Sequence, residues 1–320
     1  MHNLLRLYNQ NRKTIWKIII IIISIIVLIR VLNYIAGINN KKRISNSQNS
    51  NTSEKISSNT NNNNRNNSNT IISTNKSLVE GREISSESLN TAKDTIDKFI
   101  NYCNNGETQN AYDILTDECK ELMYPTLNVF YNNYCKNLFE EKKQCAISNW
   151  TGNVYKVIIA PDALASGVIN TQKETTDYIT IVNKNGEYKL NINSYIGRTQ
   201  INKTDENQNL EINVISKDSY MEYEIYNIQV KNNTGNTIVL DDLTKSKTIY
   251  LQDGNGAQYS AANYELSQNN MIVRDGFATN LKIQFSNAYN ISRTYTSIVF
   301  TSVNFNYGEQ NNKKEIVVGL

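Results

Sequence analysis

The sequence predicts an N-terminal transmembrane helix and a disordered linker, followed by an α+β domain and an all-β sandwich. Three observations predict this order: an apolar run near the N-terminus, an Asn/Ser-rich tract behind it, and then a hydrophobic period that changes from helical to two. The expected boundaries are 1–14 for a cytoplasmic N-terminus, 15–38 for the membrane helix, 39–82 for the linker, 83–200 for the α+β domain, 207–307 for the sandwich, and 308–320 for a C-terminal tail.

The apolar run extends from Ile18 to Ile38, and Arg30 is its only charged residue. As a helix it measures about 31 Å, which matches a hydrocarbon core of about 30 Å. A cleaved signal peptide is the alternative, with Ile35-Ala36-Gly37 as a small-residue cleavage site. We favour a retained anchor because Arg30 interrupts the run and no A-x-A motif follows it.

Basic residues flank the run on both sides: Arg12, Lys13 and Lys17 before it, and Lys41, Lys42 and Arg43 after it. A short basic N-terminus ahead of a first apolar segment usually stays inside. We therefore expect a single-pass plasma-membrane protein with its N-terminus inside and its C-terminal domains outside. Arg30 is expected to snorkel toward the interface; the alternative is a charge that pairs with a partner helix in a membrane-coupled sensor.

The charge divides unevenly along the chain. Residues 1–79 contain eleven Lys and Arg against the single Glu54, whereas residues 80–320 contain twenty-two against twenty-nine Asp and Glu. An acidic folded part argues against nucleic-acid binding. The only histidine is His2, so the folded part lacks the residue needed for Ser-His-Asp or Cys-His catalysis and for a His-ligated metal. We expect no catalytic, cofactor-binding or metal-binding residues.

The α+β domain is predicted from a change of period. Leu89, Ile96 and Cys103 belong to a helical stripe that ends at Asn105-Gly106, a short second helix is expected near 108–121, and a third begins after Pro125. Alternating strands follow, with Asn185-Gly186 as a hairpin turn. The 39–82 linker is expected to be disordered because it has few apolar residues to bury.

This arrangement resembles the nuclear-transport-factor-two-like superfamily, in which helices and a curved sheet form a cone. The residues that carry the resemblance are Asn104-Asn105-Gly106-Glu107 before Ala111-Tyr112, and the strand Asn185-Gly186-Glu187-Tyr188-Lys189-Leu190. The resemblance implies an extracytoplasmic domain of the kind found behind one transmembrane helix in Gram-positive (Firmicute) envelope proteins.

The remaining chain predicts about seven short strands. Leu210, Ile212 and Val214 alternate, and a change of parity around Ile225 indicates a β-bulge there. Three phrases are similar to immunoglobulin-like domains of Gram-positive surface proteins: Val230-Lys231-Asn232-Asn233-Thr234, the segment from Tyr250 to Tyr259, and Leu281-Lys282-Ile283-Gln284-Phe285. This resemblance implies an immunoglobulin-like β-sandwich.

Four cysteines lie in the α+β domain: Cys103, Cys119, Cys135 and Cys145. Buried thiols and disulfides are both compatible with an exported domain. If the third helix is continuous, Cys135 and Cys145 are too far apart to pair. The open pairings are then 103–135 with 119–145, or 103–145 with 119–135.

Three other features were candidates for chemistry. Glu222 and Glu224 would lie about 7 Å apart on one strand face, a separation compatible with glycosidase carboxylates; we expect instead a solvated face. Asp253-Gly254-Asn255-Gly256 resembles a calcium loop faintly, but its twelfth position is Tyr264, so we expect a hairpin turn. Tyrosines of the α+β domain were a candidate lining for a peptide or glycan pocket.

The expected function is therefore a membrane-anchored extracytoplasmic binding or scaffold protein of the cell envelope. Its expected partners are the membrane, through one helix, and another envelope protein, a peptide or a glycan. The alternatives are an enzyme that uses an Asp/Glu and Tyr pair in a pocket of the α+β domain, and the membrane-coupled sensor.

Overall fold

The computed structural model of the chain describes residues 69–162, 174–241, 248–262, 266, 268–309 and 312–320. The predicted transmembrane helix (15–38) and the linker up to residue 68 lie outside these residues. The same holds for the predicted membrane-flanking charges Arg12, Lys13, Lys17, Arg30, Lys41, Lys42 and Arg43. Within the described part of the chain, no helix is long and apolar enough to cross a membrane.

The described residues contain more strand than helix. The described helices are α1 (Ser86–Asn104), α2 (Thr108–Asp113), α3 (Asp117–Met123), α4 (Leu127–Phe130), α5 (Lys136–Leu138) and α6 (Gln268–Met271), and a π-helical turn, Tyr131–Cys135, joins α4 to α5. The described strands are β1 (Thr70–Ile72), β2 (Lys143–Thr151), β3 (Val154–Pro161), β4 (Thr175–Lys184), β5 (Glu187–Asn191), β6 (Tyr195–Asn207), β7 (Leu210–Tyr220), β8 (Glu224–Asn232), β9 (Ile238–Val239), β10 (Ile249–Asp253), β11 (Gln258–Ser260), β12 (Ile272–Val273), β13 (Ala278–Phe285), β14 (Tyr295–Asn304) and β15 (Lys313–Gly319).

The first predicted helix is confirmed as α1. It begins where the Ser85 side chain accepts a hydrogen bond from the backbone N–H of Ser88 (3.1 Å), which is an N-cap. Its apolar stripe, including Ile96 and Phe99, is fully buried against the first sheet. It ends before Gly106, whose φ of +72° suits a residue without a Cβ atom.

The second predicted helix, 108–121, is in fact two helices, α2 and α3. Between them the backbone pairs with β5: Leu190 donates its N–H to the Ile114 carbonyl (2.9 Å), and Thr116 donates its own N–H to the Leu190 carbonyl (3.0 Å). The Thr116 hydroxyl then caps α3 by accepting from the Cys119 N–H (3.0 Å). A helical period alone does not reveal such a break, because the strand that interrupts it, β5, lies about 70 residues further along the chain.

A first sheet has the order β1-β2-β3-β4-β5, and its core side chains pack with those of the helices. Only β1 runs parallel to its neighbour, β2. This strand corrects the linker prediction, because residues 69–82 are ordered rather than part of a disordered tract. Thr70–Ile72 pairs with β2, and the Ser77 hydroxyl donates to the Trp150 carbonyl (2.9 Å).

Two further sheets enclose a second core. One has the order β13-β8-β7-β6; the other has the order β11-β10-β14-β9-β12, with β15 also paired to β14. The predicted tail, 308–320, therefore contains a strand, β15, whose Ile316 and Val318 are buried. Strand β6 runs without a break through the predicted boundary at 200–207. We call residues 69–194 the helical half and residues 195–320 the strand half.

A β-bulge is present, but on the strand next to the predicted one. The register between β7 and β8 shifts between Val214 and Ser216, so Ile215 is the extra residue. Strand β8 begins at Glu224, and its buried residues alternate without interruption. The parity change assigned to Ile225 was wrong because Tyr223, which we counted as part of the strand, lies in the preceding turn.

Beyond this bulge, a buried ion pair within the strand half lies at its junction with the helical half. Asp218 is 1% exposed, and it accepts from Arg198 Nε (2.7 Å) and from a terminal nitrogen of the same guanidinium (3.2 Å). Arg198 also reaches Glu121 on α3 (3.2 Å), and Asn227 donates to Asp218 (2.9 Å). The bonds to Asp218 raise the pKa of Arg198, so the guanidinium remains charged.

We expect Asp218→Asn to destabilise the protein by about 3 kcal/mol, because it removes the buried counter-ion of the partly buried Arg198 guanidinium and leaves only the exposed Glu121. Lys184→Gln is the matched control, since it breaks the exposed Lys184–Glu118 pair (2.9 Å), which should cost less than about 1 kcal/mol. Urea unfolding of both variants measures the difference. Equal losses would show that the buried pair is no more important than a surface pair.

Candidate functional site

A polar cleft of about 360 Å³ lies where the helical half meets the strand half. Its lining comes from the start of α3, from β4, β5, β6, β7 and β8, from the turn between β2 and β3, and from the segment between β13 and β14. The lining residues used below are Thr116, Glu118, Thr180, Lys184, Asn191, Arg198, Lys217, Glu224, Ile291 and Arg293. The volume is that of a small-molecule site.

Strand β4 forms one wall of the cleft. Its odd-numbered residues Ile179 and Ile181 face the core of the helical half, so Thr180, Val182 and Lys184 face the other way and line the cleft. At the rim, Lys184 donates to Glu118 (2.9 Å). Partial burial opposes ionisation of Glu118, but the bond and charge of Lys184 lower its pKa overall.

Two threonines of the cleft differ in their hydrogen bonding. The Thr116 hydroxyl donates to the Asn191 side-chain oxygen and accepts from the Cys119 N–H, so it has a partner both as a donor and as an acceptor. Thr180 is 2% exposed, yet its hydroxyl oxygen has no partner among the described residues. A buried hydroxyl without a partner costs about 1–3 kcal/mol. The wall of the cleft therefore contains a hydroxyl that is unsatisfied within the described part of the chain.

The opposite wall is a chain of buried polar side chains. Lys217 Nζ lies 3.0 Å from Glu224 Oε1, and Asn287 donates to Glu224 Oε2 (3.0 Å) and to the Tyr295 hydroxyl. Burial raises the pKa of Tyr295 to about 12. This corrects the expected solvated face: Glu224 is 4% exposed, whereas Glu222 lies exposed in the turn, so the two do not form a pair.

Arg293 completes this wall. One terminal nitrogen of its guanidinium donates to the Ala288 carbonyl (3.0 Å) and to the Tyr295 hydroxyl (3.2 Å). The guanidinium also lies 4.8 Å from the centroid of the Tyr259 ring, a cation–π contact. These contacts fix the orientation of the side chain. Sequence reasoning missed Arg293 and Thr180, and no motif marks either residue.

The predicted alternative of an Asp–Tyr pair exists outside this cleft. Asp177 Oδ2 lies 3.4 Å from the Tyr134 hydroxyl at a second cleft, and burial raises the pKa of Asp177. The Asp177 carboxylate also accepts three backbone N–H groups, from Tyr178, Asn193 and Ser194, at 2.7–2.9 Å. Both oxygens of the Asp177 carboxylate therefore already accept hydrogen bonds from backbone N–H groups.

The other candidates have structural explanations. Asp253 accepts from the backbone N–H groups of Asn255 and Ala257 (both 2.9 Å), so the hairpin-turn prediction is confirmed. The aromatic rings of the helical half pack against one another around Phe130, which contacts Phe99 and Tyr124, and they form core rather than the predicted aromatic pocket. Among the described residues, no group of three side chains could hold a metal.

All four cysteines are buried and carry free thiols. Of the pairings left open by the sequence, the structure brings the sulfurs of Cys103 and Cys135 to 4.0 Å, and the Cys145 sulfur lies near Thr70 instead. The contact with Cys135 and burial raise the pKa of Cys103, and the hydrogen bond from Cys103 lowers that of Cys135. Burial raises the pKa of Cys119 to about 12 and that of Cys145 to about 11.

No protein-family model, curated protein or solved structure matches this chain. Its function must therefore be inferred from the chemistry of the cleft and from the sequence.

We expect Thr180→Val to stabilise the ligand-free protein by about 1 kcal/mol, because an isosteric methyl group replaces a buried hydroxyl that lacks a partner. Thr116→Val should instead destabilise it by about 1–2 kcal/mol, since it removes the α3 cap and a bond to Asn191. Thermal unfolding without ligand measures both. A loss of stability in Thr180→Val would mean that its hydroxyl is already satisfied.

We expect a mild thiol oxidant to join Cys103 to Cys135 in a disulfide, because their sulfurs lie 4.0 Å apart, against about 2 Å in the bond. Peptide mapping without reductant would find this link. Cys135→Ser should abolish it, whereas Cys119→Ser should not. A link between Cys103 and Cys145, or between Cys119 and Cys135, would contradict the geometry.

Proposed function

We propose that this chain is a binding protein of the cell envelope that holds a small polar ligand in the junction cleft. The observation that carries the proposal is the buried, unpartnered hydroxyl of Thr180 at a cleft lined otherwise by hydrogen-bonded polar groups. Native proteins rarely leave such a group without a partner. A ligand oxygen or N–H group would supply the missing bond.

The anchoring part of the proposal rests on the sequence. The run from Ile18 to Ile38 has the length and apolarity of a single membrane-spanning helix, and nearly all the excess positive charge lies around it. We place the domains outside the plasma membrane on this basis. The ligand would then be an envelope peptide or glycan, or a part of another envelope protein.

The finer fold relationships belong to the same proposal. The helices packed on a sheet in the helical half support a nuclear-transport-factor-two-like fold, and the two sheets around one core in the strand half support an immunoglobulin-like sandwich. Both are folds that present ligand sites in many unrelated proteins, so fold alone does not specify the ligand.

Binding is proposed in preference to catalysis for a chemical reason. Both carboxylates that line the cleft, Glu118 and Glu224, are held in ion pairs with lysines, at 2.9 and 3.0 Å. Outside the cleft, the Asp177 carboxylate is held by three backbone N–H groups. Each carboxylate therefore has a structural partner that a general acid or base would have to release.

A photoreactive residue in place of Ile291 tests the site. Ile291 lines the cleft and is 52% exposed; Val317 is equally exposed (52%) but does not line it, so it is the matched control. After irradiation of cells, we expect the chain in the membrane fraction to gain a small-molecule or glycan/peptide adduct at position 291 and not at 317, measured by mass spectrometry.

Equal labelling at the two positions would contradict the cleft as the binding site. Recovery of the intact chain in the soluble fraction would contradict the membrane anchor and would leave the cleft result to be judged separately.

A further inference from the structure

One cation of the cleft lining has no ion pair among the described residues. Of its four cationic side chains, Lys184, Arg198 and Lys217 each lie within 3.0 Å of a carboxylate oxygen: those of Glu118, Asp218 and Glu224. Arg293 is the exception, because no carboxylate of the described residues lies within 4.0 Å of its guanidinium. Arg198 is paired twice, with Asp218 and with Glu121 (3.2 Å), so Arg293 is the cation of the cleft lining that lacks an ion pair among the described residues.

The Arg293 side chain is held in one orientation, but some of its N–H donors have no partner among the described residues. Its guanidinium has five N–H donors in a planar fork. One terminal nitrogen makes the two bonds to Ala288 and Tyr295, and Tyr259 supports the face of the group. Nε and the second terminal nitrogen have no partner among the described residues. An edge of the fork is therefore open, which suits bidentate recognition of a planar anion.

From these observations we infer that the junction cleft binds a ligand through a single carboxylate, with Arg293 as the group that recognises the anion and Thr180 as a hydrogen-bonding contact to a neutral part of the ligand. This inference rests on the proposed function and specifies its ligand class. A carboxylate matches the open edge of one guanidinium, whereas a phosphate monoester carries close to two negative charges at neutral pH.

The neutral part of the ligand is also restricted. Thr180, Asn153 and Asn290 place hydroxyl and amide groups at the cleft, and Val182 and Ile291 supply small apolar areas. This lining suits a small molecule rich in hydroxyl or amide groups, or the end of a longer polymer. The carboxylate could come from a peptide C-terminus or from an acidic sugar, which share the recognised chemistry.

Titration calorimetry on the full chain in detergent tests the inference with paired probes. The peptide pair is N-acetyl-alanyl-alanine and its C-terminal amide; the sugar pair is glucuronic acid and glucose. We expect one acid to bind, its neutral counterpart to bind at least about tenfold more weakly, and the affinity to fall with salt. The acid that binds identifies the source of the carboxylate.

Three variants assign the effect to residues. Arg293→Gln should reduce the affinity for the acid about tenfold or more, to that of the neutral counterpart, and Arg293→Lys should restore only part of it because lysine lacks the fork. Lys231→Gln removes an exposed charge outside the cleft and should change nothing. Each variant should unfold at the wild-type temperature.

The outcomes separate this inference from the proposed function. If the neutral and acidic probes bind equally, or if Arg293→Gln has no effect, the carboxylate inference is overturned and the binding cleft stands. Binding of inorganic phosphate without binding of either acid would also overturn it. If no probe binds and position 291 acquires no adduct, both the inference and the proposed function fail.

Discussion

One extra residue in strand β7 determines how the two halves meet. Before the bulge at Ile215, alternate residues of β7 face the core of the strand half; beyond it the parity is reversed. Asp218 therefore turns toward Arg198 and the helical half, while Lys217 turns inward to meet Glu224. Both buried ion pairs at the cleft depend on this reversal. Without the bulge, each of these charges would lie on the face where it has no counter-ion.

Ion pairs and hydrogen bonds restrain the side chains of the cleft, and most of the polar groups discussed above already have a partner. Arg198 and Lys217 are fixed by carboxylates, and Thr116 is fixed by its cap and by Asn191. A ligand that meets such a surface orders few side chains, so little of its binding free energy is lost to conformational entropy. Thr180 is the opposite case, since its unmet hydrogen bond lowers stability in the free protein. Residues that trade stability for binding are typical of functional sites.

Structural features that depend on local periodicity were predicted from the sequence, whereas features that depend on the pairing of strands were missed. Helix α1 was predicted correctly because its stripe and its Asn105-Gly106 end are both local signals. The burial of Glu224 was missed because Tyr223 was counted in strand β8, although Glu224 has the same parity as the buried Tyr226 and Ile228. The bulge in β7 was missed as well. The adjacent apolar residues Val214 and Ile215 were the available signal for that bulge. Nothing local could indicate that Arg293, in an irregular segment, would meet Tyr295 and Tyr259.

The ordered start of the chain adds a geometric argument to the proposed function. The described chain begins at Asn69 and enters the first sheet through β1, whereas the cleft is lined from β4, three strands away in the order β1-β2-β3-β4-β5. With about 4.8 Å between neighbouring strands, β1 and β4 are separated by about 14 Å. The first described residues therefore lie at the sheet edge distant from the cleft, and they are not among the residues that line it.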